Sequence, residues 1–248
     1  MPLSETLIIA VLFFATAALY ASVGHAGASG YLAVMGLFSL APAVMKPTAL
    51  ALNILVALVA TIQFYRAGLF SWNLFWLFAV VSIPAAFVGG AVTLPVRGYK
   101  VLVGLVLLYA AVWMFRSARQ LQSTTAFANP PALRVALPVG LVIGLLSGLT
   151  GVGGGIFLSP LILYMGWADT RHTSGVAAPF ILVNSIAGML GHLTGIAEIP
   201  GSIPIWGGAV LLGGWIGATY GSRRARPPVL RQLLSVVLVI AAFKLIVF

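Results

Sequence analysis

The chain has 248 residues, 61% of them hydrophobic and only 6% charged, with a mean hydropathy of +1.13. Soluble domains carry about 25% charged residues, so 16 charged side chains (13 Lys+Arg and 3 Asp+Glu) exclude a water-soluble globule, and the high hydrophobicity excludes disorder. The net charge of +10 does not point to nucleic acid, because the basic residues stand singly or in small groups between apolar runs, where a bilayer places anchors and topology signals.

Ten apolar stretches follow in chain order, at 6–23, 28–41, 47–65, 72–94, 98–115, 133–150, 155–167, 173–193, 203–221 and 229–247. They are continuous, unlike the alternating strands of about 10 residues that build an outer-membrane barrel, so the fold class is all-α and polytopic. The first is read as a retained membrane segment, since Met1-Pro2-Leu3-Ser4-Glu5 is acidic and lacks the basic start of a signal peptide. Most stretches approach the ~20 residues that cross a hydrocarbon core. The second and seventh are too short for that, and each follows a Gly-rich turn. They are expected to be the returning arms of re-entrant or broken-helix hairpins, buried in protein or lining a cavity.

The order of segments repeats. Gly24, Gly27 and Gly68 fall on Gly151, Gly154 and Gly195 at an offset of 127, and Phe87-Val88-Gly89 falls on Trp215-Ile216-Gly217 at 128. Two halves are expected, 1–116 and 132–248, each a Gly-rich hairpin followed by three transmembrane helices, joined by a linker at 117–131. With each Gly-rich pair counted as a hairpin or two spans, alternating loops put Arg66, Arg116, Arg119, Arg134, Arg171, Arg223, Arg224, Arg226 and Arg231 on one face, and Lys46, Arg97, Lys100 and Lys244 on the other; counted as one broken span, the pair gives eight against five. The positive-inside rule assigns the first group to the cytoplasm, both termini to the outside, and opposite orientations to the two repeats.

The strongest local feature is Gly151-Val152-Gly153-Gly154-Gly155, with Pro160 after it and a weaker copy at Gly24-His25-Ala26-Gly27. One reading is helix packing through small residues. The other is a ligand site, in which glycines let backbone approach an anion and helix N-termini point N–H groups at it. No strand, Walker lysine or distal acid makes it a nucleotide motif.

These residues, with Thr173-Ser174-Gly175-Val176-Ala177 and Gly191-His192-Leu193-Thr194-Gly195, make the whole chain resemble the sulfite exporter TauE/SafE family, also called the toluene-sulfonate uptake permease family. The first half departs from the pattern at Ala26 and Ala28. The resemblance implies a cytoplasmic-membrane transporter of sulfite or small organosulfonates. Composition alone implies no sulfur.

Candidate binding residues are the loop positions Gly24, His25, Gly27, Gly151, Gly153, Gly154, Gly155 and Pro160, with Asn53, Arg171, His172, Asn184 and His192 from the neighbouring segments. Ionisable groups in a membrane are costly and default to functional candidates, and a guanidinium matches the oxygens of a sulfonate. Against this, Arg171 and Arg66 can be interfacial anchors, and amides such as Asn53, Gln63 and Asn184 often join helices. The three acids, Glu5, Asp169 and Glu198, all read as loop or terminal residues, so no carboxylate relay crosses the membrane. With no Cys and no acid cluster, no metal or cofactor is expected. Two rival functions stand beside transport by a carrier: a passive anion channel, and an intramembrane serine protease, since Gly27-Ala28-Ser29-Gly30 spells G-x-S-G and His192 could serve Ser29 as base. The expected partners are the lipid bilayer and a small anion. A homodimer is open, with six Trp and 14 Phe to supply a face.

Overall fold

A computed structural model describes residues 2–117, 131–193, 200–223 and 228–247. Most of the expected linker, together with Arg119, Thr194, Gly195, Glu198, Arg224 and Arg226, lies outside the described residues, as does the side chain of Arg231.

Ten helices follow one another: α1 (Leu3–Ala21), α2 (Ala28–Leu37), α3 (Pro42–Arg66), α4 (Trp72–Ala91), α5 (Val96–Ser117), α6 (Leu133–Thr150), α7 (Gly155–Tyr164), α8 (Thr170–His192), α9 (Ile203–Arg223) and α10 (Pro228–Val247). No strand occurs among the described residues. Each helix coincides with one of the ten apolar stretches, because a hydrophobic run in a bilayer must satisfy its own backbone. Six helices are long and apolar enough to cross a membrane: α1, α3, α4, α5, α6 and α8. The two short stretches are 10-residue helices, α2 and α7, about 15 Å long each. Large apolar side chains face outward around the bundle, among them Leu7, Val11, Trp76, Val80, Val112, Leu141, Leu212 and Phe243. In water this surface would aggregate; against lipid tails it costs nothing.

Glycine rows set the closest helix contacts. Gly140, Gly144 and Gly148 of α6 lie on the carbonyls of Phe78, Ser82 and Ala86 of α4 in rising order, so these helices run parallel. Gly213, Gly217 and Gly221 of α9 lie in the same way on Phe14 and Ala18 of α1 and on Ser22 just beyond it. A Cβ at any of the six would collide with backbone, which is why small residues at every fourth position build membrane helix interfaces. α3 and α8 run antiparallel through the centre: Leu50 meets Gly188, Asn53 meets Ser185, and Leu69 beyond the end of α3 meets Gly175 near the start of α8. α4 also packs on α8, α9 on α3, and α5 on α10. α10 lies along α2, whereas an apolar crevice of about 620 Å³ opens between α5, α6 and α7.

Cations cap helix ends across these contacts, Lys244 of α10 on the Leu37 carbonyl of α2 among them. Lys46, buried in the first turns of α3, donates from Nζ to the carbonyls of Gly89 (3.2 Å), Gly90 (2.8 Å) and Val92 (3.1 Å) at the end of α4. Arg171, in the first turn of α8, donates to the Ser222 carbonyl at the end of α9 at 2.7 Å. Helix C-termini carry unsatisfied carbonyls and partial negative charge, so a cation placed there is stabilising. Arg66, Arg171 and Arg223 gather at one end of the bundle, while Lys46 lies at the opposite end of α3 from Arg66.

Candidate functional site

Each short helix begins on a glycine that no L-residue replaces without strain. Gly27, at the N-cap of α2, has φ 102°, and Gly154, at the N-cap of α7, has φ 81°. The turns before them need the same conformation at Gly24 (φ 74°), Gly151 (φ 81°) and Gly153 (φ 81°). The first N–H groups of α2 and α7 therefore start inside the protein with no intrahelical acceptor, which is the geometry that receives an anion.

The two turns meet. From the first, His25 places Nδ1 3.1 Å from the Val23 carbonyl and Nε2 3.2 Å from the Gly155 carbonyl at the head of α7. The central helices hold them from both sides. Asn53 of α3 is fully buried and donates from Nδ2 to the Val152 carbonyl at 3.1 Å and to Ser185 Oγ at 3.4 Å. Ser174 of α8 donates to the Val23 carbonyl at 2.9 Å, and Tyr99 of α5 donates to the Thr150 carbonyl at 3.1 Å. Gly24 is pressed on Ser174 and Gly151 on Lys46, so the first turn is braced by the early turns of α8 and the second by the early turns of α3. A Cβ at Gly153 would lie 2.7 Å from Ile181 and 2.8 Å from both Asn53 and Ser185.

The structure thus brings together Gly24, His25, Gly151, Gly153, Gly154, Gly155 and Asn53. Gly27 stands nearby as the cap of α2, with the Tyr31 hydroxyl donating to the Ala26 carbonyl at 2.7 Å. Asn184 lies one face over on α8, donating to the Phe180 carbonyl at 2.8 Å, and Phe180 also touches Gly154. Pro160 lines the apolar crevice beside α7. The remaining three lie at the ends of α8. Asp169 caps the helix start by accepting from the backbone N–H groups of Arg171 and His172, and its second oxygen is 3.0 Å from His172 Nδ1. His192 sits at the other end, against Gly90. Twenty residues of helix separate His172 from His192, about 30 Å, so one small ligand cannot touch both. Ser29 of the rival protease motif donates to the Tyr20 hydroxyl at 2.7 Å.

Sequence reasoning passed over Ser147, Ser185 and Lys46. Ser147 stands beside Gly154, and its buried hydroxyl has no partner among the described residues. The oxygens of Asn53 and Asn184 are buried and unpartnered likewise. A buried polar group without a partner costs free energy, and Thr48, Thr61, Ser82, Ser159 and Thr219 carry unpartnered buried hydroxyls elsewhere among the described residues. Ser147 and Ser185 are single hydroxyls in apolar runs and carry no signal of their own. Lys46 could have been found, being a basic residue several positions inside a helix start.

A polytopic helical bundle with two Gly-turn hairpins meeting at its centre is the architecture of a membrane transporter. The family model for the sulfite exporter TauE/SafE matches residues 8–245. The chain is also 42% identical over 244 residues to Probable membrane transporter protein y4hK of Sinorhizobium fredii (strain NBRC 101917 / NGR234), covering 98% of this chain and 99% of that one. No solved structure matches. The chain belongs to the TauE/SafE sulfite exporter family of membrane transporters.

Proposed function

We propose that this transporter carries small sulfur oxyanions, sulfite or organosulfonates, outward across the cytoplasmic membrane through a site between the two Gly-rich turns. The observation that carries this reading is the contact of the turns through His25 and Gly155, at 3.2 Å, beside the N-terminus of α7. Backbone N–H groups of Gly154 and Gly155 with the spare hydroxyl of Ser147 supply donors for a tetrahedral or pyramidal oxyanion. Among the described residues, neither Glu5 nor Asp169 lies at this site, so no described carboxylate competes with the anion. An inside-negative potential favours anion exit by about 2.3 kcal/mol per charge per 100 mV, and export then needs no coupling ion.

The reading includes two inverted repeats, 1–116 and 132–248, joined by a linker at 117–131. Its support is the exchange of contacts: α4 on α6 answers α9 on α1, α4 on α8 answers α9 on α3, and α3–α8 and α5–α10 answer themselves. The antiparallel course of α3 against α8, and the matched cations Lys46 on α4 and Arg171 on α9, agree with it. Inverted halves can exchange roles, which suits a carrier alternating between two faces.

Uptake of labelled sulfite, sulfoacetate, sulfate and chloride into proteoliposomes, with an imposed potential and then a pH gradient, tests the substrate. Saturable sulfite or sulfonate flux that shows counterflow, with sulfate and chloride excluded, is the expected result. Absence of flux for all four in folded protein removes the assignment, and flux without saturation or counterflow makes the protein a channel.

A further inference from the structure

A polar cavity lies away from the Gly-rich turns. It occupies about 380 Å³ between the last turns of α3 and α9, lined by Gln63, Arg66, Trp215, Thr219, Ser222 and Arg223. Arg66 is 13 residues along α3 from Asn53, about 20 Å of helix, so the cavity is no part of the central site.

Its charge is unbalanced. Among the described residues, no Asp or Glu lines it and neither Arg66 nor Arg223 forms an ion pair; the pair within range there is His172 with Asp169. At the end of α9, Arg171 holds the Ser222 carbonyl at 2.7 Å. The Thr219 hydroxyl in the wall is buried and unpartnered. Two guanidinium forks, an amide and an idle hydroxyl around one cavity form a donor set for a tetrahedral oxyanion.

The wall also has an apolar side. A neighbouring cavity of about 360 Å³ shares Trp215, Thr219 and Arg223 and adds Ile216 and Tyr220. Trp215 and Ile216 are 57% and 51% exposed on the outer surface of α9. Arginine at the water side and aromatic rings at the lipid side match a molecule with a charged head and an apolar body.

We infer that these joined cavities bind an amphiphilic oxyanion, its phosphate or sulfonate group on Arg66 and Arg223 and its apolar body over Trp215, Ile216 and Tyr220. Two sources share this chemistry: an anionic phospholipid of the surrounding leaflet, and an organic sulfonate arriving from water. The site does not depend on which anion the central turns carry.

Native mass spectrometry of the full chain, released from detergent with added dioleoyl phosphatidylglycerol, dioleoyl phosphatidylcholine or decanesulfonate, tests the site. The wild type is expected to retain an anionic amphiphile about tenfold more strongly than phosphatidylcholine. Arg66→Gln with Arg223→Gln should lose that preference, and Arg134→Gln, an exposed arginine outside the cavity, should keep it. Thr219→Leu fills the wall with both charges intact and should also weaken retention about tenfold, which guards against a double variant that fails to fold. Stronger phosphatidylglycerol binding identifies the lipid as the source, and stronger decanesulfonate binding identifies the organic anion. Unchanged anionic retention in the folded double variant or in Thr219→Leu, or no preference in the wild type, overturns the site.

Discussion

Lys46 shows how little the charge of a side chain says about what that side chain touches. Read along the chain it is one of four cations on the less basic face, a topology signal. In the fold it is buried at 5% exposure with its ammonium on three carbonyls of α4. Hydrogen bonds to a charged group contribute about 1.5–3 kcal/mol each and do not add fully. Lys46→Met is therefore expected to destabilise the protein by about 3 kcal/mol, seen as a lower midpoint of thermal unfolding in detergent. Arg171→Met should cost under about 1 kcal/mol, because Arg171 is exposed and water screens and replaces its contact. Equal losses for the two would show that burial does not govern their worth. Asn53 makes the opposite point, since the sequence reading included it and the structure places it against Val152 and Ser185. Replacing Asn53 with Leu leaves the Val152 carbonyl without its donor and is expected to lower flux at least about tenfold, equivalent to ~1.4 kcal/mol, with membrane insertion unchanged. Wild-type flux in that variant would remove the amide from the mechanism.

Glycines divide into two kinds once helices are packed. Those at Gly140, Gly144 and Gly148, and at Gly213, Gly217 and Gly221, exist because a neighbouring backbone occupies the space of a Cβ. Gly148→Val is expected to separate α4 from α6 at a cost of about 3 kcal/mol or more, read as loss of folded protein on size exclusion. Gly154 differs: its φ of 81° strains any L-residue by about 1–2 kcal/mol, and a Cβ would press on Ile143 and Phe180 at 3.0 Å. Gly154→Leu is expected to stop flux while insertion and helix content survive, since one turn is distorted and the helix rows are untouched. Normal transport in Gly154→Leu would take the turn out of the pathway. The short helices α2 and α7 and the turns before them were legible from glycine clusters beside runs too short to span. The spacing Gly-x3-Gly-x3-Gly also stands in the sequence on α6 and α9, yet nothing local says which helix it faces.

Taken together, the helices arrange the charges so that orientation can be tested directly. The chain has no cysteine, so single cysteines report accessibility without a prior knockout. Asn73→Cys lies at the start of α4, toward the end that holds Arg66, and Thr93→Cys lies just past the other end of α4, near Lys46. With the arginine-rich end in the cytoplasm, an impermeant maleimide added to intact cells should label Thr93→Cys and spare Asn73→Cys. The reverse pattern would invert the topology, and labelling of both would reject α4 as a full crossing.

Composition and segment length were enough to make this a helical membrane bundle. Sixteen charges cannot cover a water-exposed surface, and most runs approach the length that crosses a bilayer. The resemblance carried by Gly151-Val152-Gly153-Gly154 was enough for the family. Which groups meet inside was settled by packing. Lys46 reaches carbonyls 43–46 residues away, His25 reaches Gly155 over 130, and Ser174 reaches Val23 over 151. Such contacts depend on where helix axes cross, and crossings arise from the fit of many small residues at once. His172 and His192 show the same limit from the other side. They look alike along the chain, two histidines bounding one apolar segment, and the length of α8 carries them to opposite ends of that helix.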